Sequence, residues 1–423
     1  MTLLLLACQL SPASVEARGP VVVATWSATA ERSRVEVNDG ETEVIVTEWQ
    51  EASDEAHFVP LLGLPSGGAY SAVVVTESGT ATLPSTFESP AVPNDFPTWT
   101  TEGTPGWEGY MVGSLLGDTS YVTIMDEQGR AVWFLQEEGD TRVIRARPRV
   151  DGRGLWFAAS RETAADDAPE LVSVDWMGEE LHREEIPYFS HDFVEHADET
   201  LGLLLEDVRD VEGFDVPVHG NRVTELVPGD AMVEVFTTFD AWSPSESGAL
   251  HQEEDWTHGN ALDWDEDTQL YTAGFRGQNA IVEFDRSGKL HRQLGGPTAT
   301  YEFADKAAAI YNQHQFQWVD GGILVFDNRV AETGSRAVRY DLDDATGLAT
   351  VAWSFEPEPP LWVYALGDVD ENADGVLVTF STSGTIVDVS LDAKPRWSLS
   401  ADLGTVLGYT TRVPTLPGVA RGP

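Results

Sequence analysis

Nine histidines occur in the chain, and three of them sit in phrases rich in hydrogen-bonding partners. Ser190-His191-Asp192-Phe193 follows an aromatic turn. Asp255-Trp256-Thr257-His258-Gly259-Asn260 precedes an apolar strand start. Tyr311-Asn312-Gln313-His314-Gln315-Phe316 precedes the run Gly322 to Asn328, and Arg276 and Arg336 lie in nearby glycine-flanked phrases. A neutral imidazole is both nucleophile and leaving group near neutral pH, so it can accept a group and pass it on. A second imidazole can supply the proton transfers that such a step needs. An arginine adds a fixed donor for developing negative charge. The bland alternatives are definite. A histidine beside Gly and Asn is commonly a turn residue bonded to its own backbone. Arg276 has many carboxylates to pair with, and Ser335-Arg336 reads equally well as a strand-start salt bridge. His57, His182, His219 and His251 are read as structural, and His196 as a surface residue.

These phrases are far apart in sequence, so the fold must gather them. Residues 95–415 repeat a unit of strand, Asp/Gly turn and strand at intervals of roughly fifty residues. The copies begin at Tyr121, Leu171, Arg222, Ile281, Ala337 and Ile386. They predict an all-β protein with a six-bladed β-propeller, whose central channel collects one inner strand from every blade. Residues 20–90 predict a smaller β-sandwich. Period-two runs surround a Leu64-Pro65…Tyr70 phrase like the tyrosine corner of such folds, and the segment resembles a fibronectin type III domain. Pro90, Pro93 and Pro97 mark a linker between the two.

Acidic residues outnumber basic ones 71 to 25, for a formal net charge of −46, and only Lys289, Lys306 and Lys394 are lysines. Such a field repels nucleic acid and anionic membrane surfaces. The one cysteine, Cys8, rules out an intrachain disulfide or a cysteine zinc site. Residues 1–19 read as a leader and linker. Met1-Thr2-Leu3-Leu4-Leu5-Leu6-Ala7-Cys8 resembles a bacterial lipobox, although no Lys or Arg precedes the apolar run. Export to the bacterial cell envelope is therefore expected, with a lipid on Cys8 as the only membrane attachment. Asp370 to Gly375 matches the front half of a calcium loop, but Ser381 stands at the closing position. A hairpin turn is favoured there, and no cofactor is expected. No Walker loop, dinucleotide fingerprint or His-rich metal spacing is present.

Taken in order, Asp-Trp-x-His-x-Asn, an arginine eighteen residues after that His, Gln-His, Phe-Asp-Asn and Ser-Arg resemble the bacterial arylsulfotransferase family over about residues 95–400. The resemblance implies a propeller enzyme that moves a sulfuryl group from an aryl sulfate to a phenol through a histidine, without a nucleotide donor. It implies His314 as nucleophile, His258, Arg276 and His191 as further catalytic groups, and Asn260, Asn328 and Arg336 as substrate-binding residues. Gln315 stands where many members have Asp. The transfer chemistry agrees with these residue types. The channel must be locally positive within so acidic a protein, with Arg276, Arg336 and Arg329 as the sources. Aryl sulfates and phenols are the expected partners, and a homodimer is left open. The rival functions are a cell-surface propeller that binds an aromatic or glycan ligand without turnover, and a sulfate-ester hydrolase using the same site.

Overall fold

The computed structural model describes residues 10–40, 43–137, 141–161, 168–244 and 255–421. The chain is all-β, its described helical segments being no longer than one turn. Cys8 and the leucine run lie outside the described residues, as does His251.

Among the described residues six further sheets follow one another along the chain, antiparallel except where Glu302–Phe303 joins the fifth in parallel beside Leu348–Phe355. The second is built from Thr141–Pro148, Gly154–Arg161, Glu170–Asp175 and Glu180–Glu185 in that order. The third, fourth, fifth and sixth open on Phe189–Glu195, Gly259–Asp265, Phe316–Val319 and Asp368–Asn372 in the same manner. The first and last sheets are completed across the chain ends. Thr411–Val413 pairs with Tyr110–Leu116 in the first sheet, and Trp99–Gly103 pairs with the outer strand Pro395–Ala401 of the sixth. Each predicted repeat falls on the third and fourth strands of one sheet.

Three of their turns have a common cause. In Asp126–Gly129, Asp175–Gly178 and Asp285–Gly288 the glycine N–H donates to the aspartate carbonyl at 2.8–3.0 Å. The aspartate carboxylate accepts the backbone N–H two residues on. The glycines have φ between 77° and 81°, which a side chain would strain. Strands such as Tyr121–Asp126, Gly322–Asp327 and Gly375–Phe380 are buried at every position. They are covered on both faces, which is why they read as continuous apolar runs rather than alternating ones.

Before this array stand two sheets that share a core around Trp26, Val35, Ile45, Leu61 and Val74. The Tyr70 hydroxyl donates to the Pro65 carbonyl at 3.1 Å, the bond expected of the corner. Two boundaries differ from the sequence reading. Ser14–Arg18, read as linker, is a strand against Val21–Ala28, and Val419–Arg421 returns from the far end of the chain to pair with Glu43–Thr47. The proline-rich exit is docked as well. Phe96 is buried against Tyr121, and Asp95 accepts the Tyr121 hydroxyl at 2.8 Å. The hydrophobic core runs on from these two sheets into the first two sheets of the array.

Candidate active site

Each of the six sheets sends its opening strand, or the residues just before it, toward one shared centre. Asp192 marks it. This carboxylate is fully buried, and it pairs with Arg145 at 3.1 Å and Arg147 at 3.3 Å from the second sheet. It accepts from Leu262 N of the fourth sheet at 3.0 Å and from Gln315 Nε2 of the fifth at 2.8 Å. Arg145 also lies 3.7 Å from Asp368 of the sixth sheet and over the ring of Tyr409, which leads into the inner strand of the first. The Tyr409 hydroxyl donates to the Asn260 carbonyl at 2.8 Å. Burial pushes the Asp192 carboxyl up, but the two guanidiniums and the amide donors hold it below the usual range. For Asp368 burial prevails, and the group is pushed up to about 7.

Around this hub lie the histidines. The His191 and His258 rings are 5.3 Å apart. His191 sits in a bulge between Phe189 and Phe193, and Asn260 in another between Gly259 and Ala261. Such bulges re-aim a side chain out of the regular ladder. Of the eleven non-glycine residues with positive φ among the described residues, seven border this site: Tyr188, His191, His258, Asn279, Asn312, Arg329 and Leu366. Backbone held in that region costs about 1–3 kcal/mol a residue and collects at functional sites.

His314 is 2 % exposed. Its Nδ1 lies 2.7 Å from Asn328 Oδ1, while Asn328 Nδ2 donates to the Val363 and Leu366 carbonyls at 2.8 and 2.9 Å. The amide nitrogen is thus spent on two acceptors, and the oxygen facing His314 can only accept. The proton of the neutral ring must therefore sit on Nδ1, which leaves the lone pair on Nε2. Burial lowers the His314 pKa to about 3. The Asn328 bond opposes the shift, and the charges of His191, Arg276 and His258 add to it. His191 is lowered to about 4, again first by burial and then by His258. Both rings are neutral at pH 7.

His258 is oriented differently. Its backbone N–H donates to Asp255 Oδ1 at 3.0 Å, and its Nδ1 bonds Asp255 Oδ2. The carboxylate can only accept, so Nδ1 of this ring holds a proton throughout, and Nε2 is the nitrogen left to gain or lose one. The segment is clamped from both sides. Asn221 Oδ1 accepts from Thr257 Oγ1 and Gly259 N, each at 2.7 Å, and the His258 carbonyl accepts Arg276 N at 3.0 Å. A Cβ at Gly277 would come within 2.6 Å of the Trp256 carbonyl, so the turn carrying Arg276 needs glycine. Among the described residues no carboxylate pairs with Arg276, and its buried Nε has no hydrogen-bond partner. An unspent cationic donor beside three imidazoles is suited to an anion.

His314, His258, Arg276 and His191 are thus brought together, with Asn260 between them. Asn260 is fully buried, its Nδ2 donating to the Gln313 carbonyl at 2.8 Å. Two expected substrate contacts are corrected. Both ends of the Asn328 amide are committed within the protein, so it positions His314 instead. Arg336 donates to Asp327 at 2.9 Å and to the Ala308 carbonyl at 2.8 Å. Its cation is neutralised inside the fifth sheet, as the salt-bridge alternative requires. Arg329 likewise pairs with Glu356 at 3.0 Å. His196 is corrected from surface to core: it is 2 % exposed, stacked on Trp264 and 2.8 Å from the Tyr271 hydroxyl. Arg145, Arg147, Asp368 and Tyr409 carried no recognisable motif. Asp255 and Asp192 lay in the quoted phrases without an assigned role. Asp370, at the supposed calcium loop, accepts from Arg412 at 2.8 Å, and Asn372 pairs with Gly375 across a hairpin.

Solved structures with low identity align with the chain. A protein of unknown function from Bacteroides caccae is 10 % identical, with a TM-score of 0.46 over 72 % of this chain and 98 % of that one. The β-propeller domain of Cps50 (Swd1) from Myceliophteria thermophila is 10 % identical, with a TM-score of 0.41 over 77 % and 96 %. No curated protein matches the chain. The model of one family, Arylsulfotransferase (ASST), matches residues 110–395, the stretch that carries all four gathered catalytic candidates, and the chain belongs to that family.

Proposed function

We propose that the protein transfers a sulfuryl group from an aryl sulfate to a phenol, with His314 Nε2 as the group's temporary carrier. The observation that carries this reading is the Asn328-imposed tautomer, which presents a lone pair near Arg276, whose buried Nε has no hydrogen-bond partner among the described residues. In the first half-reaction the Nε2–S bond forms as the bond between sulfur and the aryl oxygen breaks. A proton on His258 Nε2 passes to the departing phenoxide. In the second, the acceptor phenol returns a proton to that nitrogen as its oxygen attacks sulfur and the N–S bond breaks. Asp255 faces the charge that the His258 ring carries while protonated, and it keeps the ring aimed. Arg276 and the His191 ring are placed to stabilise charge on the sulfuryl oxygens. No metal or cofactor enters the scheme.

We also read the six sheets as the blades of a propeller closed by Thr411–Val413 and Trp99–Gly103. The two preceding sheets are read as a fibronectin-like sandwich. Their support is the order of the strands and the corner bond of Tyr70. Cys8 is proposed as a lipid anchor in the bacterial envelope, which equal membrane partition of wild type and Cys8→Ser would overturn.

The test of transfer is to mix the protein with aryl sulfate alone and quench into base. Peptide mass analysis should find a sulfuryl group on the peptide containing His314, and His314→Ala should abolish both half-reactions. Release of phenol should require an acceptor phenol. Release without one would support hydrolysis, no release would support a binder, and full turnover by His314→Ala would defeat the mechanism.

A further inference from the structure

Five large aromatic side chains are strongly exposed among the described residues, and four of them lie on segments that lead into the opening strands of the third, fifth and sixth sheets. Tyr188 is 59 % exposed, Tyr311 47 %, Trp362 45 % and Tyr364 60 %. Tyr188 lies three residues before His191, and Tyr311 three before His314. Trp362 and Tyr364 lie on the segment that enters the sixth sheet. Between them Val363 is fully buried. Its carbonyl and that of Leu366 hold Asn328, which in turn holds His314, and its N–H donates to Ser335 Oγ at 2.8 Å. Alternation along this segment therefore turns Val363 inward and both rings outward, 6.1 Å apart. The backbone beneath them is anchored to the group that orients the nucleophile.

Exposed aromatic surface of this extent marks a place where something apolar rests. Its nature follows from the surroundings. Arg329, which follows Asn328, is already paired with Glu356 at 3.0 Å, and Lys306 shares a cavity with Tyr311 away from Trp362 and Tyr364. No free positive charge on the segment invites a second anionic group, and the whole protein repels one.

We infer that Trp362, Tyr364, Tyr311 and Tyr188 form an aryl-binding rim, and that the preferred acceptor is an uncharged phenol of two or more rings. This rests on the transfer reading above. The ring bearing the hydroxyl reaches His314 while the distal rings lie on the rim. Stacking and apolar burial there are worth a factor of ten or more in specificity, since about 1.4 kcal/mol is tenfold.

The experiment has two arms. In the first, kcat/KM is compared for a one-ring and an uncharged two-ring phenol with one aryl sulfate donor. The two-ring acceptor should be favoured at least about tenfold. Trp362→Ala should collapse that ratio toward one, and Trp362→Phe should restore most of it. In the second, the two-ring phenol is titrated against His314→Ala by isothermal titration calorimetry, with and without Trp362→Ala, each variant first checked for its unfolding temperature. Binding that is lost on removing Trp362 is expected. An unchanged specificity ratio in Trp362→Ala, or equal binding by both titrated proteins, would overturn the rim. Binding that depends on Trp362, without sulfation of either phenol by the wild type, would keep the rim and overturn the transfer reading.

Discussion

At the scale of single residues the site depends on which nitrogen of each imidazole carries the proton. For His314 the answer comes from Asn328, whose amide nitrogen is occupied by two carbonyls. Asn328→Ala should leave the ring in place and release its tautomer. We expect kcat to fall about 10–100-fold, the scale for losing such a supporting bond, with a smaller change in KM, measured by steady-state kinetics. The pH dependence follows from burial. His314 and His191, lowered to about 3 and about 4, hold their neutral forms well below the range where an exposed imidazole does. Single-turnover uptake of sulfuryl should therefore not fall by more than about threefold from pH 7.5 to 5, where a nucleophile of ordinary pKa would lose about 30-fold. A tenfold or greater fall over that span would show that His314 is not held neutral. The same shifts bear on stability. Between pH 6.5 and these lowered values the unfolded chain binds more protons than the folded one. The stability contributed by the neutral rings is full above pH 6.5 and is lost as pH falls toward 4 and 3.

At the scale of elements, the opening strands are tied by charges rather than by packing alone. Asp192 binds strands of the second, fourth and fifth sheets to its own. Asp192→Ala would leave Arg145 and Arg147 buried without their shared counter-charge. The expected cost is about 3–5 kcal/mol, read by denaturant unfolding. Exchanging all three charges together, Asp192→Leu with Arg145→Met and Arg147→Met, should recover most of that stability, because an apolar set of similar volume avoids desolvating ions. Recovery of stability without recovery of activity would show that the network serves the site's geometry. A loss below about 1 kcal/mol in Asp192→Ala would show that the strands are held by packing.

At the scale of the whole molecule, a net charge of −46 surrounds a site built for an anion. The local correction is small, because Arg336 and Arg329 are both neutralised and Arg276 is the candidate with no carboxylate partner among the described residues. Approach of an aryl sulfate should thus be slowed by the outer field. Salt screens that field over about 8 Å at physiological strength. kcat/KM for the anionic donor should rise with moderate salt, and kcat/KM for an uncharged phenol should change little. A clear fall for the donor would mean that attraction at the mouth outweighs the outer field.

Much of this was legible in the chain. Where a repeat has an Asp/Gly turn it is local chemistry: a carboxylate captures nearby N–H groups and a glycine takes the left-handed position, as after Tyr121, Leu171 and Ile281, whereas the copy from Ile386 turns through Ser390–Ala393 with Ala393 left-handed. The phrases around His191, His258 and His314 were equally visible, because a motif within a few residues survives in one dimension. The partners of those residues did not show. Arg145 is 47 residues from Asp192 and Asp368 is 223 from Arg145, and nothing in their flanks distinguishes them from other charges in a chain with 71 acids. Whether Arg276 or Arg336 stays unpaired is a matter of which carboxylate the fold brings to it, and Asp327 reaches Arg336 only because their neighbouring strands are in register. The sequence by itself determined the kinds of groups available and the local turns that make sheets. Only the tertiary structure decided which charges cancel, which imidazole nitrogen is left without a partner and which cation is left without a carboxylate among the described residues, because those outcomes depend on burial and on distances between residues remote along the chain.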